Sequence, residues 1–353
     1  MRKNEILRKK RIFIGFNDAG APGIYSFTRV LRRYGYKIDF WGYVPKWIDV
    51  RYDVRVSRPR NIKLQRIQGI YLLLKSLFKY DIFHFNFGRT FFSYKYDHLI
   101  LKLFRKKIVN TFRGSDVFDV ERSIKEYGKE SPYHKDYQLK GSEHYKKIEE
   151  RKKFIISRSD RIILIGPWMA DSVGKYDQII PYARDIDGIR KSKTEPSPNQ
   201  AFTIMHAPTD EEKKGTRYVV QAVEELRGKG VKVNLVLADK ISRKDLYKKM
   251  SVADLIIDQL LIGWYGGLSV EAMALGKPVV CYLKEEYVKL VPFGKNIPII
   301  NANKDNLAEV LERLIKNRKG LAAIGKRGYE FVKKVHDAKI IAEQYKKVYE
   351  SLL

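Results

Sequence analysis

The stretch Asp258-Gln-Leu-Leu-Ile-Gly-Trp-Tyr-Gly-Gly-Leu-Ser-Val-Glu-Ala-Met-Ala-Leu-Gly-Lys-Pro278 predicts a strand end, a glycine-rich loop and a helix in succession. The helix is expected to begin near Gly267 or Leu268 and to end at Gly276. The first N–H groups of a helix have no partner within the helix, and the helix dipole favours negative charge there. Gly266, Gly267 and Leu268 therefore form a candidate phosphate site.

Glu271 is expected in the first turn of this helix. A carboxylate at that place can accept hydrogen bonds from vicinal hydroxyls, such as those of a ribose. An ordinary glycine-started helix with a capping glutamate has the same spacing, so the spacing alone leaves both interpretations open.

Strands and helices alternate over the rest of the chain. In the N-terminal half, the predicted strands and helices cover 11–16, 23–34, 37–41, 67–78, 81–85, 107–112 and 161–165. The pattern restarts with elements at 202–206, 216–228, 231–237, 243–250, 255–257, 268–275 and 278–282, and the last stretch, 306–353, is helical and charged. Repeated strand–helix units predict parallel sheets that are covered by helices on both faces.

We therefore expect an α/β protein with two Rossmann-like domains that face each other across a cleft. The N-terminal domain covers 1–183 and the C-terminal domain 201–335, with the polar, proline-containing segment 184–200 as the linker. A C-terminal helix, 336–353, is expected to return to the N-terminal domain. Ligands of open parallel sheets bind at the carboxyl ends of the strands, so those ends should line the cleft.

The chain of 353 residues is strongly basic, with 70 Lys and Arg against 41 Asp and Glu, a net charge of +29. Residues 1–180 hold 39 of the basic and 19 of the acidic residues. This excess indicates an anionic partner, either nucleic acid, a membrane leaflet or a phosphorylated substrate. Solvated helix faces in a lysine-rich protein would give the same composition, so this interpretation stays open.

Several functional classes are not indicated by the sequence. No apolar run reaches the roughly 18 residues of a membrane span, and Met1 to Lys10 lacks the apolar stretch of a signal peptide. Cys281 is the single cysteine, which excludes an intrachain disulfide and agrees with a cytoplasmic location. The six histidines show no zinc spacing and no ATPase phosphate loop is present, so we expect no metal.

The segment Gly266-Gly-Leu-Ser-Val-Glu-Ala-Met-Ala-Leu-Gly-Lys-Pro-Val-Val280 resembles the signature of the family 4 retaining glycosyltransferases of the GT-B fold, also called glycosyl transferases group 1. The resemblance implies transfer of a sugar, with retention and without metal, from a nucleotide-diphosphate sugar that acts as co-substrate; no other cofactor is implied. It also implies an acceptor-side N-terminal domain and a nucleotide-sugar-binding C-terminal domain. Glu271 would then bind the donor ribose, and Gly266, Gly267 and Leu268 its diphosphate.

Two further segments carry donor-side candidates by the same resemblance. His206-Ala-Pro-Thr-Asp-Glu-Glu-Lys-Lys-Gly-Thr216 is similar to the first turn of the family's C-terminal domain, in which a lysine before a glycine contacts the donor diphosphate. Lys214 matches that lysine and becomes a catalytic candidate, while His206 would take over part of the role of an arginine that is absent here. Gly20 and Gly23 lie where the family has a glycine loop near the phosphates.

Acceptor-side candidates come from the segments 81–88 and 111–116, which resemble N-terminal strands whose ends face the acceptor. His84 and Asn86 are candidates for acceptor binding, and Arg113 and Asp116 are candidates for catalysis. His84 can equally be a structural histidine, and Asp116 can instead cap a turn. Tyr25 is a further acceptor-side candidate, with packing in the core as the alternative.

The sequence departs from the family pattern at two of these positions. The family has a glutamate eight residues before the one that matches Glu271, and this chain has Gly263 there, so the usual partner of the donor sugar hydroxyls is replaced. The family often has a histidine where Arg113 stands. In such a transferase the acceptor proton passes to the leaving phosphate, so no dedicated base is required.

The expected function is transfer of a sugar to a glycan or lipid-linked acceptor in polysaccharide biosynthesis, in the cytoplasm and peripherally on the inner face of the membrane. Residues 51–110 hold 14 basic and 3 acidic side chains, together with the apolar segment Ile70–Phe78 and the aromatic run Phe91–Tyr94. This combination favours docking on an anionic leaflet, unless Leu72–Leu74 pack into the core instead.

The alternative function is a catalytically inactive scaffold of the same fold that binds nucleic acid or an anionic membrane. Nucleic-acid modules interleave aromatic and basic residues on one sheet face, and the sequence lacks that pattern. Nucleic acid is therefore not the expected partner.

Overall fold

The computed structural model describes residues 3–16, 22–43, 52–114, 116–190, 201–239 and 241–353. In chain order the strands are β1 (Arg11–Gly15), β2 (Lys37–Tyr43), β3 (Val54–Val56), β4 (Ile82–Asn86), β5 (Lys107–Phe112), β6 (Arg161–Leu164), β7 (Gln178–Ile179), β8 (Phe202–His206), β9 (Val233–Leu237), β10 (Leu255–Ile257), β11 (Val279–Cys281) and β12 (Ile300–Asn301). The α-helices are α1 (Lys3–Lys9), α2 (Pro22–Arg33), α3 (Ile62–Leu77), α4 (Tyr94–Leu103), α5 (Val120–Tyr127), α6 (His134–Arg158), α7 (Ala170–Val173), α8 (Ile186–Arg190), α9 (Glu211–Lys214), α10 (Thr216–Gly228), α11 (Arg243–Val252), α12 (Gly267–Ala274), α13 (Glu285–Lys289), α14 (Leu307–Lys316), α15 (Leu321–Val335) and α16 (Ala338–Glu350).

The chain divides into two compact units. The first unit comprises Met1–Asp119, Ser142–Arg184 and Ala338–Leu353, and the second comprises Val120–Gly141 and Asp185–Asp337. The sequence division assigned 120–141 to the N-terminal domain, whereas these residues group with the second unit. Helix α6 is interrupted where the chain changes unit, because Gly141 has a φ of 71°, a conformation that glycine adopts without strain.

The first unit is built on a parallel sheet in the order β3-β2-β1-β4-β5-β6-β7. Every residue of β4 is buried, as expected for a parallel strand that is covered on both faces. Because side chains alternate along a strand, Ile12 and Ile14 of β1 pack into one core cluster and Phe13 packs into the other. Helix α16 packs against α2, where the Phe27 and Tyr345 rings stack with their centroids 4.3 Å apart.

The second unit is built on a shorter parallel sheet in the order β12-β11-β10-β8-β9. The interior strand β8 is fully buried and pairs with the central strand β10 through Ile204 and Leu255. One apolar cluster joins β8 and β10 to helices α10 and α14. The two parallel sheets confirm the expected α/β class with two Rossmann-like units.

The structure changes some predicted boundaries for local reasons. Helix α3 begins at Ile62 rather than at residue 67, because the Asn61 side chain caps it by accepting hydrogen bonds from the N–H groups of Lys63 and Leu64. The elements that the sequence did not predict are strands β3, β7 and β12 and helices α1, α4, α5, α6, α7, α8, α9 and α13. The helical stretch 306–353 divides into α14, α15 and α16, and residues 191–200 of the expected linker lie outside the described residues. Within the described part of the chain, no helix combines the length and apolarity that crossing a bilayer requires.

Candidate active site

The glycine loop that the sequence singles out leads into α12 at the predicted residue. Strand β10 ends at Ile257, and α12 begins at Gly267 with Gly266 in extended conformation as its N-cap. No side chain caps this helix. Glu271 is the fifth residue of α12 and therefore lies beyond its first turn, which corrects the sequence expectation and excludes the capping interpretation.

Asp258 ties the start of α12 to the end of β10. Its side chain is fully buried, and it accepts hydrogen bonds from the Gly266 N–H at 2.7 Å and from the Ser269 hydroxyl at 2.6 Å. The ammonium of Lys214 lies 2.9 Å from its other oxygen. Burial alone would raise the pKa of Asp258, but Lys214 and these hydrogen bonds outweigh burial and hold the pKa below its ordinary value.

Lys214 is thereby held at the start of α12. Its Nζ also donates to the side-chain oxygen of Gln259 at 2.6 Å. A Cβ atom placed on Gly266 would lie only 3.2 Å from this Nζ, so the ammonium lies directly against the glycine. The structure therefore brings together a cation and the N-terminus of a helix, the two features that favour an anion.

The position of Lys214 follows from the local backbone structure. Asp210 caps the short helix α9 by accepting a hydrogen bond from the Lys213 N–H, and Lys214 is the last residue of that helix. Gly215 then adopts a φ of 77°, which turns the chain into α10. The carbonyl of Lys214 accepts a hydrogen bond from the N–H of Leu260, which joins this turn to the loop after β10.

The run between Gln259 and Gly266 is packed rather than open. The Gln259 amide donates to the carbonyl of Trp264, and the Trp264 and Tyr265 rings are buried and stacked. The Tyr265 hydroxyl lies 2.9 Å from Nε2 of the buried His336. These contacts fix the loop that precedes α12.

Glu271 is almost fully buried and has a cationic neighbour. Its Oε1 lies 3.4 Å from a guanidinium nitrogen of Arg243, which is the first residue of α11 and is half exposed. Helix α11 is capped by the Ser242 hydroxyl, which accepts from the Asp245 N–H. A buried carboxylate beside an accessible guanidinium can bind a hydroxyl and an anionic or aromatic group side by side.

Gly263 occupies a place that excludes a side chain. Its φ is 81°, and a Cβ atom there would lie 2.5 Å from Cγ of Lys284. The carbonyl of Gly263 accepts a hydrogen bond from the Lys284 N–H at 2.9 Å. The Lys284 ammonium donates to the hydroxyl of Tyr127 at 2.7 Å. At the position where the similar family has a glutamate, this chain has Gly263 in the left-handed conformation. The methylene groups of Lys284 occupy the space that a side chain there would need.

His206 is buried inside the second unit, where its ring links β10 to α10. Its two ring nitrogens are 2.9 Å from the Ile257 carbonyl and 2.9 Å from the Thr216 hydroxyl, and the ring is fully buried. Burial lowers its pKa, so the ring is held neutral. This placement favours a role in positioning β8, β10 and α10 over direct contact with a donor.

Arg113, Asn86 and Asp116 form a connected group at the ends of β4 and β5 in the first unit. Arg113 Nε donates to the Asn86 side-chain oxygen at 3.0 Å. Asp116 accepts from the Gly114 N–H at 2.7 Å and from the Arg113 N–H at 3.1 Å, so it caps the turn after β5. Burial lowers the pKa of Arg113 and raises the pKa of Asp116.

His84 also has both ring nitrogens engaged. Nδ1 lies 2.8 Å from the Tyr349 hydroxyl, and Nε2 lies 2.7 Å from the Thr111 hydroxyl. Burial, with a smaller contribution from Arg113, lowers the pKa of His84 to about 3. These contacts support a structural role for His84.

Two of the remaining candidates, Gly23 and Tyr25, lie in the first turn of α2. Tyr25 packs against the core of the first unit, as the alternative interpretation expected. A Cβ atom on Gly23 would lie 2.7 Å from the Ala183 carbonyl, so this glycine permits close packing. Gly20 lies outside the described residues. Across the described residues, no cluster of three or more His, Cys, Asp or Glu side chains has the arrangement of a metal site.

Asp258, Gln259, Ser269, Arg243 and Lys284 are not among the site residues predicted from the sequence. A polar pair directly after an apolar strand is a usable signal for Asp258 and Gln259. Arg243 and Lys284 are distant in sequence from the residues they contact, so no local pattern identifies them.

No family model matches the sequence, and no curated protein matches it. The structure is similar to that of a sucrose-phosphate synthase from Thermosynechococcus elongatus, with a TM-score of 0.65 and 15% identity over 98% of this chain and 99% of that one. It is also similar to an alpha-glucosyltransferase in complex with UDP and a 13-mer DNA that contains a central A:G mismatch, with a TM-score of 0.64 and 13% identity over 97% of this chain and 100% of that one. Anabaena Alr3699/HepE in complex with UDP-glucose gives a TM-score of 0.59 and 14% identity, again over 97% and 100% of the two chains. At these identities the likeness shows the fold, which is the GT-B fold of glycosyltransferases with its two Rossmann-like units.

Proposed function

We propose that the protein is a glycosyltransferase that moves a sugar from a nucleotide-diphosphate sugar to an acceptor hydroxyl, with retention and without a metal ion or other cofactor. The observation that carries the proposal is the position of the Lys214 ammonium against Gly266 at the start of α12. This arrangement would bind an anion at the carboxyl end of a strand in a parallel sheet, where ligands of such sheets bind.

In the proposed reaction the donor diphosphate lies at the N–H groups of Gly267 and Leu268, beside Lys214. The bond between the anomeric carbon and the β-phosphate oxygen breaks, and the acceptor oxygen bonds to the same face of that carbon. The acceptor proton passes to the departing phosphate. Because the helix N-terminus and the ammonium are already oriented, they stabilise the negative charge that develops on the leaving group.

Glu271 is proposed to bind the two ribose hydroxyls of the donor. Its carboxylate is buried in α12, one turn beyond the proposed diphosphate position, and a carboxylate there can accept hydrogen bonds from both hydroxyls of a ribose. Asp258 has a separate role, because its fixed negative charge keeps Lys214 in place without contacting the donor. In the first unit, Arg113 and Asp116 are retained as catalytic candidates, and Asn86 as the residue that orients Arg113.

The acceptor is proposed to be a glycan or a lipid-linked molecule in polysaccharide biosynthesis, and the enzyme to act in the cytoplasm on the inner face of the membrane. The charge of +29 and its concentration in the N-terminal half support an anionic surface or substrate. The structure of HepE with UDP-glucose supports a nucleotide sugar as the donor class.

The first test is binding of nucleoside diphosphates. A ligand that binds the folded state stabilises it by about 2.7 kcal/mol at one hundred times its Kd, so UDP or GDP should raise the melting temperature by a few degrees. A panel of UDP- and GDP-sugars then measures release of the nucleoside diphosphate and transfer to added acceptors. A protein that binds no nucleoside diphosphate and turns over no member of the panel contradicts the proposal.

A second candidate function is a catalytically inactive protein of the same fold that binds nucleic acid. The net charge favours it, and so does the glycine at position 263. The alpha-glucosyltransferase of similar structure was solved with DNA. Tight, salt-dependent binding of DNA without any effect of nucleotide sugars would favour this candidate over the transferase.

A further inference from the structure

Helix α3 carries two apolar stripes, and only one of them faces the core. Gly69, Leu73 and Leu77 are buried against the first unit. Ile67, Tyr71, Leu74 and Phe78 follow the spacing i, i+4, i+7 and i+11 and are exposed, Ile67 by 62% and Phe78 by 85%. The segment Leu72–Leu74 therefore only partly enters the core, since Leu73 is buried and Leu74 is exposed.

Helix α4 extends the exposed stripe. Leu99 and Leu103 lie one turn apart and are exposed, Leu103 by 78%. The rings of Phe78 and Phe104 meet edge to face with centroids 6.4 Å apart, which joins the ends of the two helices. Residues 62–104 hold eleven of the eighteen exposed large apolar side chains of the described chain. Leu73 and Leu77 of α3 and Leu101 of α4 pack into the same core cluster, so the two helices cover the same face of the sheet. We call this surface, formed by the exposed apolar side chains of α3 and α4, the α3–α4 surface.

The segment that carries the α3–α4 surface is mostly positive. Residues 51–110 hold 14 basic and 3 acidic side chains. Exposed cations on or beside the two helices are Lys63, Arg66, Lys75, Lys95 and Arg105.

The three acidic residues of this segment are engaged within the first unit. Asp53 pairs with Arg32, Asp81 pairs with Lys10, and Asp97 is buried and accepts from the N–H groups at the start of α4. The exposed side chains of α3 and α4 therefore combine aliphatic and aromatic groups with cations.

We propose that the α3–α4 surface docks the protein on an anionic lipid bilayer. Its apolar side chains enter the boundary between headgroups and acyl chains, and its lysines and arginines lie at the lipid phosphates. This inference deepens the proposed function and rests on the location at the membrane proposed there, because it names the surface that docks. The docking itself needs neither donor nor turnover.

Other occupants fit the α3–α4 surface less well. A second copy would bring the same positive surface against itself, and like charges oppose such contact. Nucleic acid would pair with the cations but would leave isoleucine and leucine side chains in water, since it is bound through phosphates and base stacking. An anionic leaflet accommodates both the charges and the apolar side chains.

The test is sedimentation of the full chain with vesicles in the absence of nucleotide. Vesicles of phosphatidylcholine alone are compared with vesicles that also contain phosphatidylglycerol, at low and at high salt. We expect the protein to sediment with the anionic vesicles at low salt and to be released as salt screens the charges. Equal sedimentation with both kinds of vesicle, or none at low salt, overturns the proposal.

Variants assign the binding to the α3–α4 surface. The triple variant Ile67→Ser, Leu74→Ser, Phe78→Ser should weaken vesicle binding by about tenfold or more, since it removes the apolar contribution. The matched control Ile340→Ser, Leu353→Ser changes exposed apolar residues outside α3 and α4, and should bind as the unchanged chain does. Because all five positions are exposed, both variants should keep their melting temperature.

The same variants separate membrane docking from self-association and from glycosyl transfer. If the triple variant binds vesicles as well as the control does, or if it only changes the oligomeric state in size-exclusion chromatography, the proposal is overturned. Nucleoside diphosphate binding of both variants is measured in parallel. That binding should be unchanged, so failure of membrane docking removes the proposed location at the membrane and leaves the proposed glycosyl transfer standing.

Discussion

Lys214 and Asp258 form an ion pair in which Nζ lies 2.9 Å from a carboxylate that is completely shielded from solvent. Removing two charges from water is unfavourable, and a buried ion pair is therefore weak evidence for stability. Its consequence here is geometric, because Asp258 also accepts the hydrogen bonds of Gly266 and Ser269. One carboxylate thus fixes both the ammonium and the start of α12.

The first prediction concerns this ion pair. Lys214→Met should lower kcat/KM by about 10²–10³, because one electrostatic donor to the developing phosphate charge is lost. It should also lower the free energy of unfolding by about 3–5 kcal/mol, because Asp258 is left buried without its partner. Steady-state kinetics and chemical denaturation measure the two effects.

The control for Lys214→Met is the double variant Lys214→Met, Asp258→Asn, which removes both charges. It should regain much of the lost stability while its activity stays low. Equal activity of the unchanged chain and Lys214→Met would show that the ammonium does not act on the donor.

The second prediction concerns Glu271. Glu271→Gln should weaken nucleoside diphosphate binding by about tenfold or more, because a neutral amide accepts ribose hydroxyl hydrogen bonds less strongly than a carboxylate. Calorimetric titration with UDP and GDP gives the Kd. Glu330→Gln, on α15, is the matched control and should bind normally. An unchanged Kd and turnover for Glu271→Gln would contradict the assignment.

The third prediction concerns Gly263. Gly263→Ala should lower the free energy of unfolding by about 1–2 kcal/mol, because a side chain at φ 81° is strained and its Cβ would meet Lys284. Gly263→Glu should be at least as destabilised and should gain no activity. Gly228→Ala, at the end of α10 with nothing within 4 Å of the added Cβ, should be neutral or slightly stabilising. A fully stable Gly263→Glu variant with higher turnover would contradict this explanation of the departure.

Local patterns predict part of this fold well. The start of α12 at Gly267 follows from the glycines before it, and β8 follows from the largely apolar run Phe202-Thr-Ile-Met205. Helix α3 is mispredicted at its start, because the Asn61 cap overrides a weak apolar period in residues 62–66. The sheet order is not predicted, since it depends on which strands pair and not on their own residues.

The candidate site, like the fold, can be predicted only in part from local sequence patterns. The sequence names Lys214, Gly266 and Glu271 because they lie in recognisable segments. It does not name Asp258 as the partner of Lys214, because the two are 44 residues apart and meet only in the folded sheet. For His84 and His206 the sequence shows a strand-end position but not that hydroxyl and carbonyl groups engage both ring nitrogens.

The fourth prediction concerns metal dependence. Activity should survive EDTA, because the proposed charge stabilisation comes from Lys214 and the start of α12. The one Asp-x-Asp spacing of the sequence, Asp185-Ile-Asp187, lies at the start of α8, where Asp185 accepts a hydrogen bond from the Gly188 N–H. Turnover is measured after chelation and again after Mg²⁺ or Mn²⁺ is added. Loss of activity that either ion restores would contradict the metal-free mechanism.

The last prediction concerns the pH dependence of stability. Burial lowers the pKa of His84 to about 3, whereas an unfolded histidine titrates near 6.5. The unfolded chain therefore binds the proton first, and the stability that the neutral ring contributes is complete above about pH 6.5 and is lost as the pH falls toward 3, by up to about 1.4 kcal/mol per pH unit. His84→Gln keeps hydrogen-bonding atoms but cannot titrate, so its free energy of unfolding should be lower at pH 7.5 and should fall less steeply between pH 6.5 and 4.5. His144→Gln changes an exposed histidine and should keep the slope of the unchanged chain. Urea denaturation at a series of pH values measures all three proteins, and an equal slope for His84→Gln and the unchanged chain would show that His84 does not remain neutral in the fold.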